Sequence, residues 1–155
     1  MKPLSHLRVV ELGTLPAGAY AARLFADFGA EVIKVEPAGG DPTRTFPPVI
    51  APDTSGWFAY LNYGKKSVTS VDLDALLDSA DVLIDSTGSD HVRPHLVTID
   101  LSWFGQSGPY RDFKATDAMV RALAGFVQLI GPAEGPPLTL PDYQSAIMEI
   151  GRAHV

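Results

Sequence analysis

The sequence predicts an α/β fold in which a doubly wound, mostly parallel sheet of the Rossmann-like type carries helices on both faces. Short apolar runs rich in β-branched residues alternate along the chain with segments whose apolar residues recur at helical spacing. Turns rich in glycine and proline separate these segments. A chain of 155 residues with 46% hydrophobic content can bury one core, so the elements are expected to share one sheet.

The beginning of the chain predicts a βαβ unit. Residues 7–12 form a short apolar run, and apolar side chains then recur at helical spacing over residues 17–28. Gly29 follows where a left-handed helix C-cap favours a residue without a Cβ, and residues 32–35 form a second apolar run. Two parallel strands joined by a helix take a right-handed crossover, and their ligands lie beyond the carboxyl ends of the strands. The turns after these two strands are therefore the candidate binding region.

The later elements continue the alternation after a long loop. Residues 37–57 are rich in proline, glycine, aspartate and threonine, have no sustained period and are predicted to be a loop. The elements predicted beyond it are strands at residues 68–71, 82–84 and 96–101, a short helix at residues 73–77, an amphipathic helix at residues 117–130 and a further helix from Asp142. Asp117 is expected to be the N-cap of its helix.

Composition excludes several classes of function. The formal net charge of −6 and the lack of a lysine- and arginine-rich run argue against a nucleic-acid partner. The absence of cysteine excludes a disulfide framework, a thiolate metal site and a thiol nucleophile. No apolar run approaches the ~20 residues of a membrane helix, so a soluble cytoplasmic protein without a membrane partner is expected. His91 and His95 have helical spacing, but Pro94 between them disfavours a helix, and no metal is expected.

Specific motifs follow one another in a recognisable order. The blocks VELGTLPAG, FGAEVIKVEP, GGDPTR and LNYGKKSV precede ADVLID, WFGQSGPY and GPPL. In this order they resemble the class III coenzyme A transferases of the CaiB/BaiF type, which include formyl-CoA and carnitine-CoA transferases. The resemblance covers residues 7 to about 148. It implies a large domain with a Rossmann-like fold, coenzyme A bound as an acyl-CoA substrate, and an interlocked homodimer in the full-length protein.

The resemblance also implies a reaction that needs no cysteine. CoA moves between an acyl-CoA and a carboxylic acid through an aspartyl mixed anhydride and an aspartyl thioester. An aspartate suits this chemistry because it is ionised at neutral pH and attacks a carbonyl without a base. By its position after GPPL, Asp142 matches the nucleophile of the family. The alternative for Asp142 is a helix N-cap alone.

The residues that the resemblance assigns to CoA lie in several blocks. They are Pro16 and Ala17 in the first turn, Asn62, Gly64, Lys65 and Lys66 in LNYGKK, Gly88 after ADVLID, and Phe104 and Gly105 in WFG. The two lysines are expected to be point charges for CoA phosphates, the alternative being ordinary solvated lysines. Arg44 of GGDPTR is expected to contact a phosphate as well, or else to be held by Asp41.

Three other functions stay open. The α-methylacyl-CoA racemases of the same family use a histidine before the aspartate at position 117, and Thr116 in its place disfavours racemisation. Glu36 fits the ribose-binding acid of an NAD-dependent dehydrogenase, although the first turn lacks the required glycine pattern. The third alternative is a catalytically silent half that acts as a scaffold.

The end of the chain has a different origin in this interpretation. The hexapeptide IGRAHV at residues 150–155 matches the translation of a common sequencing adapter. We therefore expect residues 1–148 to be the N-terminal portion of a CoA-transferase large domain and residues 149–155 to be a non-native tail. Such a truncated fragment is expected to be inactive by itself.

Overall fold

The computed structural model describes residues 2–52, 54–129 and 133–135. Its elements in chain order are β1 (Arg8–Leu12), α1 (Pro16–Asp27), β2 (Glu31–Val35), β3 (Val49–Ala51), β4 (Thr54–Ser55), α2 (Gly56–Leu61), β5 (Lys66–Val68), α3 (Leu73–Asp78), β6 (Val82–Asp85), β7 (Val97–Asp100) and α4 (Asp117–Leu123). Two 3-10 turns span Pro42–Thr45 and Phe126–Leu129. Asp142, the helix predicted from it and the tail at residues 149–155 lie outside the described residues.

Five strands form one parallel sheet in the order β5-β2-β1-β6-β7. The chain builds outward from β1 through β2 to β5, then returns to the other side of β1 to add β6 and β7. The direction of strand addition therefore reverses between β1 and β6. In open α/β sheets this reversal opens a crevice at the carboxyl ends of the two strands.

Helices cover both faces of the sheet because each strand alternates its side chains between them. On one face Val9, Val32 and Ile84 pack against α1. On the other face Val10 and Leu83 pack with α3. The predicted doubly wound α/β fold is confirmed.

Helix α1 lies close to the sheet because its buried side is built from alanine and glycine. Pro16 begins the helix at a position where its missing N–H costs nothing. At the other end, Gly29 has a φ of +103° and donates to Ala26 O (2.9 Å), while Ala30 donates to Phe25 O (3.0 Å). These two bonds form a Schellman motif, so the predicted glycine cap is confirmed.

Three predictions of secondary structure were wrong. Residues 37–57 contain a 3-10 turn, the antiparallel pair β3–β4 and the start of α2. The strand predicted at 68–71 lies at Lys66–Val68, where it pairs with β2 at the sheet edge. The helix predicted to run to residue 130 ends at Leu123, since Gly125 has a φ of +74° that a helix cannot continue.

Within the described ranges, none of the helices is both long enough and apolar enough to span a bilayer.

Candidate functional site

An open cleft of about 530 Å³ lies at the carboxyl ends of β1, β2 and β6. It is lined by Leu12, Gly13, Thr14, Val35, Glu36, Pro37, Leu73, Ser86, Thr87, Ser89 and His91. The cleft therefore occupies the point where the strand order reverses, as the topology predicts for a ligand. Its volume is in the range that small-molecule and cofactor sites use.

The first turn of the cleft requires glycine at position 13. Gly13 has a φ of +94°, and a Cβ built on it would lie 2.2 Å from Ser86 Oγ. Ser86 is itself held to the end of β1, because both its N–H (3.0 Å) and its hydroxyl (3.2 Å) donate to Leu12 O. The turns after β1 and β6 are thus in direct contact, which brings two sides of the cleft together.

Hydroxyl groups dominate the polar lining of the cleft. Thr14, Ser86, Thr87 and Ser89 all contribute to its wall. Thr87 is fixed because its N–H and its hydroxyl both donate to Asp85 Oδ1, each at 2.7 Å. Among the lining residues in the described part of the chain, His91 is the one with a basic side chain. The lining can hydrogen-bond phosphate, ribose or amide groups.

Glu36 lies at the cleft edge with both carboxylate oxygens occupied. Oε2 accepts from Arg44 Nε (2.8 Å) and Asp41 N (2.9 Å), and Oε1 accepts from Arg44 Nη2 (2.7 Å) and Ser67 Oγ (2.5 Å). The Arg44 hydrogen bonds outweigh burial and lower the pKa of Glu36 to about 2. The Arg44 guanidinium also stacks over the Phe58 ring at 4.0 Å. Arg44 is therefore held by Glu36, and Glu36 has no vacant acceptor site for a ribose hydroxyl.

Beneath the turns lies a buried ion network formed by Glu11, Lys34, Asp41 and Lys65. Lys34 Nζ lies 2.7 Å from Glu11 Oε1 and 2.8 Å from Asp41 Oδ2, and Lys65 Nζ lies 2.7 Å from Glu11 Oε2. All four side chains are almost inaccessible to solvent. None of the sequence motifs predicted this network. Its signal was a charged residue between two apolar ones in each strand, Glu11 in β1 and Lys34 in β2.

The two lysines of the network titrate in opposite directions. Burial opposes the charged form of Lys34, but the combined attraction of Glu11 and Asp41 raises its pKa above the ordinary value. Burial lowers the pKa of Lys65 to about 8, and the nearby charge of Lys34 adds to this effect against the attraction of Glu11. Lys65 is therefore the cation of the network that loses its proton first.

The structure separates the two lysines that the sequence placed together at CoA phosphates. Lys65 directs its ammonium to Glu11, to Ala19 O (2.7 Å) and to Asn62 Oδ1 (2.9 Å), and its side chain is 2% exposed. Lys66 is 69% exposed and binds Glu31 (2.5 Å) near the amino end of the sheet. Neither ammonium lines the cleft.

The other predicted CoA residues are not among those that line the cleft in the described part of the chain. Gly88, with a φ of +76°, lies between the lining residues Thr87 and Ser89, and Pro16 and Ala17 open α1 just after the first turn. Asn62 ends α2, and Gly64 supplies a φ of +79° in the following turn.

Phe104 and Gly105 lie in a separate turn after β7. The Phe104 ring is 6.1 Å from that of Tyr110 and 6.4 Å from that of Phe113. Gly105 has a φ of +86°. The Phe104 ring thus contacts aromatic residues that follow it in the chain.

One carboxylate near the cleft is buried with an unused oxygen. Asp85 is 1% exposed, and its Oδ2 accepts no hydrogen bond from the residues that the structure describes. Asp100 occupies the paired position on β7. Burial, together with the negative charges of Asp85 and Asp90, raises the pKa of Asp100.

Over residues 2–52, 54–129 and 133–135, histidine, aspartate and glutamate side chains do not gather in any group of three that could hold a metal ion.

Comparison with known proteins agrees with the resemblance seen in the motifs. A sequence profile described as CoA-transferase family III matches residues 4–149. The succinate–glutarate CoA-transferase of Agrobacterium fabrum is 34% identical over 165 residues, which cover 88% of this chain and 41% of that protein. The succinyl-CoA–D-citramalate CoA-transferase of Chloroflexus aurantiacus is 35% identical over 159 residues, which cover 88% of this chain and 39% of that protein.

A solved structure shows the same architecture. The crystal structure of a CaiB/BaiF family protein from Brucella suis matches with a TM-score of 0.82 and 28% identity, over 97% of this chain and 50% of that chain. The chain spans about two fifths of the length of the curated relatives named above. Sequence profile, relatives and fold agree, and the predicted family is confirmed: the chain belongs to CoA-transferase family III.

Proposed function

We propose that the protein is a CoA transferase that moves coenzyme A between an acyl-CoA and a carboxylic acid. The observation that carries this proposal is the family match over residues 4–149, in a fold whose cleft lies at the reversal of strand order. The relatives described above are named for transfers between carboxylic acids through CoA thioesters. We take succinyl-CoA and glutarate as the first donor and acceptor to test.

The proposed reaction begins at the carboxylate of Asp142, which lies outside the described residues. This carboxylate attacks the thioester carbonyl of the acyl-CoA, the C–S bond breaks, and CoA thiolate leaves as a mixed anhydride forms. The thiolate then attacks the aspartyl carbonyl, which releases the donor acid and leaves an aspartyl-CoA thioester. The acceptor carboxylate repeats these two steps in reverse order, so that the acyl-CoA product and free Asp142 result.

We assign the CoA nucleotide and phosphates to the turns around the cleft. Backbone N–H groups of the first turn, the hydroxyl of Thr14 and the imidazole of His91 are the donors available there. The hydroxyl oxygens of Ser86 and Thr87 can accept, because their O–H groups already donate to Leu12 O and Asp85 Oδ1. Pro16, Ala17 and Gly88 shape these turns. The expected phosphate contact of Arg44 would use the guanidinium N–H groups that Glu36 leaves free.

We revise the role of the two lysines in this proposal. Lys65 supports the cleft from below, because its three N–H groups already have acceptors in the protein. Lys66 is left out of the CoA site, because its ammonium binds Glu31 near the amino end of the sheet. We retain Asn62 and Gly64 as residues that shape the turn before β5, and Phe104 and Gly105 as outer contacts of CoA.

The geometry disfavours two of the alternative functions. A dehydrogenase needs a free acid for the ribose, whereas the four acceptor sites of Glu36 are occupied. A racemase needs an imidazole where Thr116 stands, and the Thr116 hydroxyl accepts a hydrogen bond from Met119 N (3.4 Å) as the N-cap of α4. The prediction that Asp117 is this cap was therefore wrong.

The test is to trap the acyl-enzyme in the full-length protein. Incubation with succinyl-CoA and hydroxylamine should convert Asp142 to the hydroxamate, which peptide mass spectrometry detects. Asp142→Ala should give no such adduct and no CoA exchange between succinyl-CoA and glutarate. A wild-type protein that binds CoA but forms no adduct and transfers no CoA would support the scaffold alternative and overturn the proposal.

Two binding measurements complete the test. CoA should raise the melting temperature of the full-length protein, whereas NAD should not. We further propose a homodimer, which light scattering of the full-length protein would show as twice the monomer mass.

A further inference from the structure

We propose that Lys65 is a positioning residue for the CoA cleft, acting through the buried ion network that it completes. The inference rests on the proposed function, because it assigns CoA to the cleft. It differs from a phosphate contact in that Lys65 touches no part of the ligand. Its effect on binding would come from holding the turns after β1 and β2 at a fixed spacing.

The ammonium of Lys65 ties together three separate segments of the chain. It donates to Glu11 Oε2 in β1, to the carbonyl of Ala19 in the first turns of α1 and to Asn62 Oδ1 at the end of α2. An ammonium has three N–H groups, so these acceptors use all of them. The strand, the helix and the turn before β5 are thereby held at one point.

The network reaches the cleft through its other members. Glu11 immediately precedes the lining residues Leu12 to Thr14. Lys34 bonds Glu11 and Asp41 and also donates to Gly13 O (3.3 Å). Asp41 in turn donates its N–H to Glu36 Oε2 (2.9 Å), and Glu36 lines the cleft just after β2. The network therefore contacts both turns that form this part of the binding region.

Charge balance explains why the stability of the network depends on Lys65. The network contains two carboxylates and two ammonium groups, so it is neutral as a whole. Without Lys65, Glu11 and Asp41 compete for the single ammonium of Lys34 in a site with almost no access to water. A buried carboxylate that loses its partner is strongly unfavourable, so we expect Lys65→Met to lower the stability of the fold. The change in the spacing of the turns has a separate cause, the loss of the three hydrogen bonds that tie β1, α1 and the turn before β5 together.

The test is calorimetric titration of the full-length protein with CoA. The variants separate an effect on the geometry of the cleft from an effect on the stability of the fold. Lys65→Met removes the ammonium, while Lys66→Met removes the neighbouring ammonium that lies away from the network. The double variant Lys65→Met/Glu11→Gln removes one charge of each sign and so leaves Lys34 and Asp41 as a balanced pair. Melting temperatures without CoA report on folding in each protein.

We expect Lys65→Met to weaken CoA binding at least tenfold and Lys66→Met to change it less than twofold. The double variant should recover the melting temperature lost in Lys65→Met but not the affinity. Wild-type affinity in Lys65→Met, or recovery of affinity and melting temperature together in the double variant, would overturn the inference while leaving the proposed function intact. A wild-type protein that does not bind CoA would overturn the proposed function and this inference with it.

Discussion

The Oγ of Ser86 lies 2.2 Å from the point where a Cβ on residue 13 would have to be placed. Gly13 and Ser86 thus bring together the turn after β1 and the turn after β6. The order of the sheet reverses between these two strands. A side chain at position 13 would require Ser86 to move, because its Cβ would also lie 3.2 Å from the carbonyl carbon of Ser86. The packing of these two turns therefore favours glycine at position 13.

The substitution Gly13→Ala is expected to destabilise the protein by about 2–3 kcal/mol, because it combines backbone strain with the steric clash. Gly88→Ala is the matched control, since Gly88 also has a positive φ but would place its Cβ in open space. It should cost only about 1 kcal/mol. Urea denaturation of both variants measures the difference, and equal losses would show that the contact with Ser86 relaxes without cost.

Acid should destabilise the protein through Glu36. Its pKa is lowered to about 2 chiefly by hydrogen bonds from Arg44, so the folded chain keeps this carboxylate ionised where the unfolded chain would protonate it. The resulting stability is complete above the unfolded pKa near 4.5 and is lost as the pH falls towards 2. We expect Glu36→Gln to remove about 2 kcal/mol of this pH dependence, a figure reduced for the solvent exposure of Arg44. Urea denaturation of both proteins across this range measures it, and parallel curves would contradict the assignment.

Lys65 should have the opposite linkage at alkaline pH. Because its pKa is lowered to about 8, the unfolded chain holds a proton between this value and 10.5 that the folded chain has lost. The free energy of unfolding should therefore rise with pH, by about 1 kcal/mol between pH ~7.5 and ~9 relative to Lys65→Met. The charged groups that face Lys65 are Glu11, Lys34 and Asp41.

Affinity for CoA should fall over the same alkaline range, since a neutral amine has two N–H groups for the three acceptors that Lys65 ties together. A structural role alone would make stability and affinity change in the same direction. Calorimetric titration with CoA and urea denaturation, both at several pH values, distinguish a positioning role of Lys65 from a purely structural one. A constant stability difference between wild type and Lys65→Met would show that Lys65 does not titrate in this range.

Removing the charge of Asp85 should lower the pKa of Asp100. The Oδ2 of Asp85 is buried without a hydrogen bond from the described residues, and its charge contributes to the raised pKa of Asp100. In Asp85→Asn the amide oxygen can still accept from Thr87, but the NH2 group would be buried without an acceptor among the described residues, so we expect the variant to lose about 1 kcal/mol of the free energy of unfolding. Carboxyl carbon NMR titration measures the pKa of Asp100, and urea denaturation measures the stability. An unchanged pKa of Asp100 would show that the two carboxylates do not interact.

The sheet could be predicted from the sequence because parallel strands are buried on both faces. Residues 7–12, 32–35 and 82–84 are therefore mostly apolar runs, and the strands were found within two residues of them. The strand β5 was misplaced because it lies at the sheet edge and includes Lys66 and Ser67. Hydrophobic periodicity locates a strand poorly when that strand lies at the sheet edge and pairs with only one neighbouring strand.

The contacts within the site could not be predicted because they depend on tertiary structure. Glu11 and Lys34 have charged side chains inside apolar strands, and their partners Asp41 and Lys65 come from distant loops. The motif GGDPTR was recognised, but the sequence could not show that Arg44 would bind Glu36 across the loop. Motifs thus indicated the family and the ligand, while the partners of each charge required the fold.

Adjacent lysines at the start of β5 have a consequence for how this strand aligns. The strand has three residues and hydrogen-bonds only to β2, so backbone pairing alone defines its alignment weakly. A shift by one residue would drag the Lys65 ammonium away from Glu11 and bring the solvated Lys66 towards the interior. The buried ammonium of Lys65 therefore fixes the register of β5 against β2, which backbone hydrogen bonds alone would define weakly.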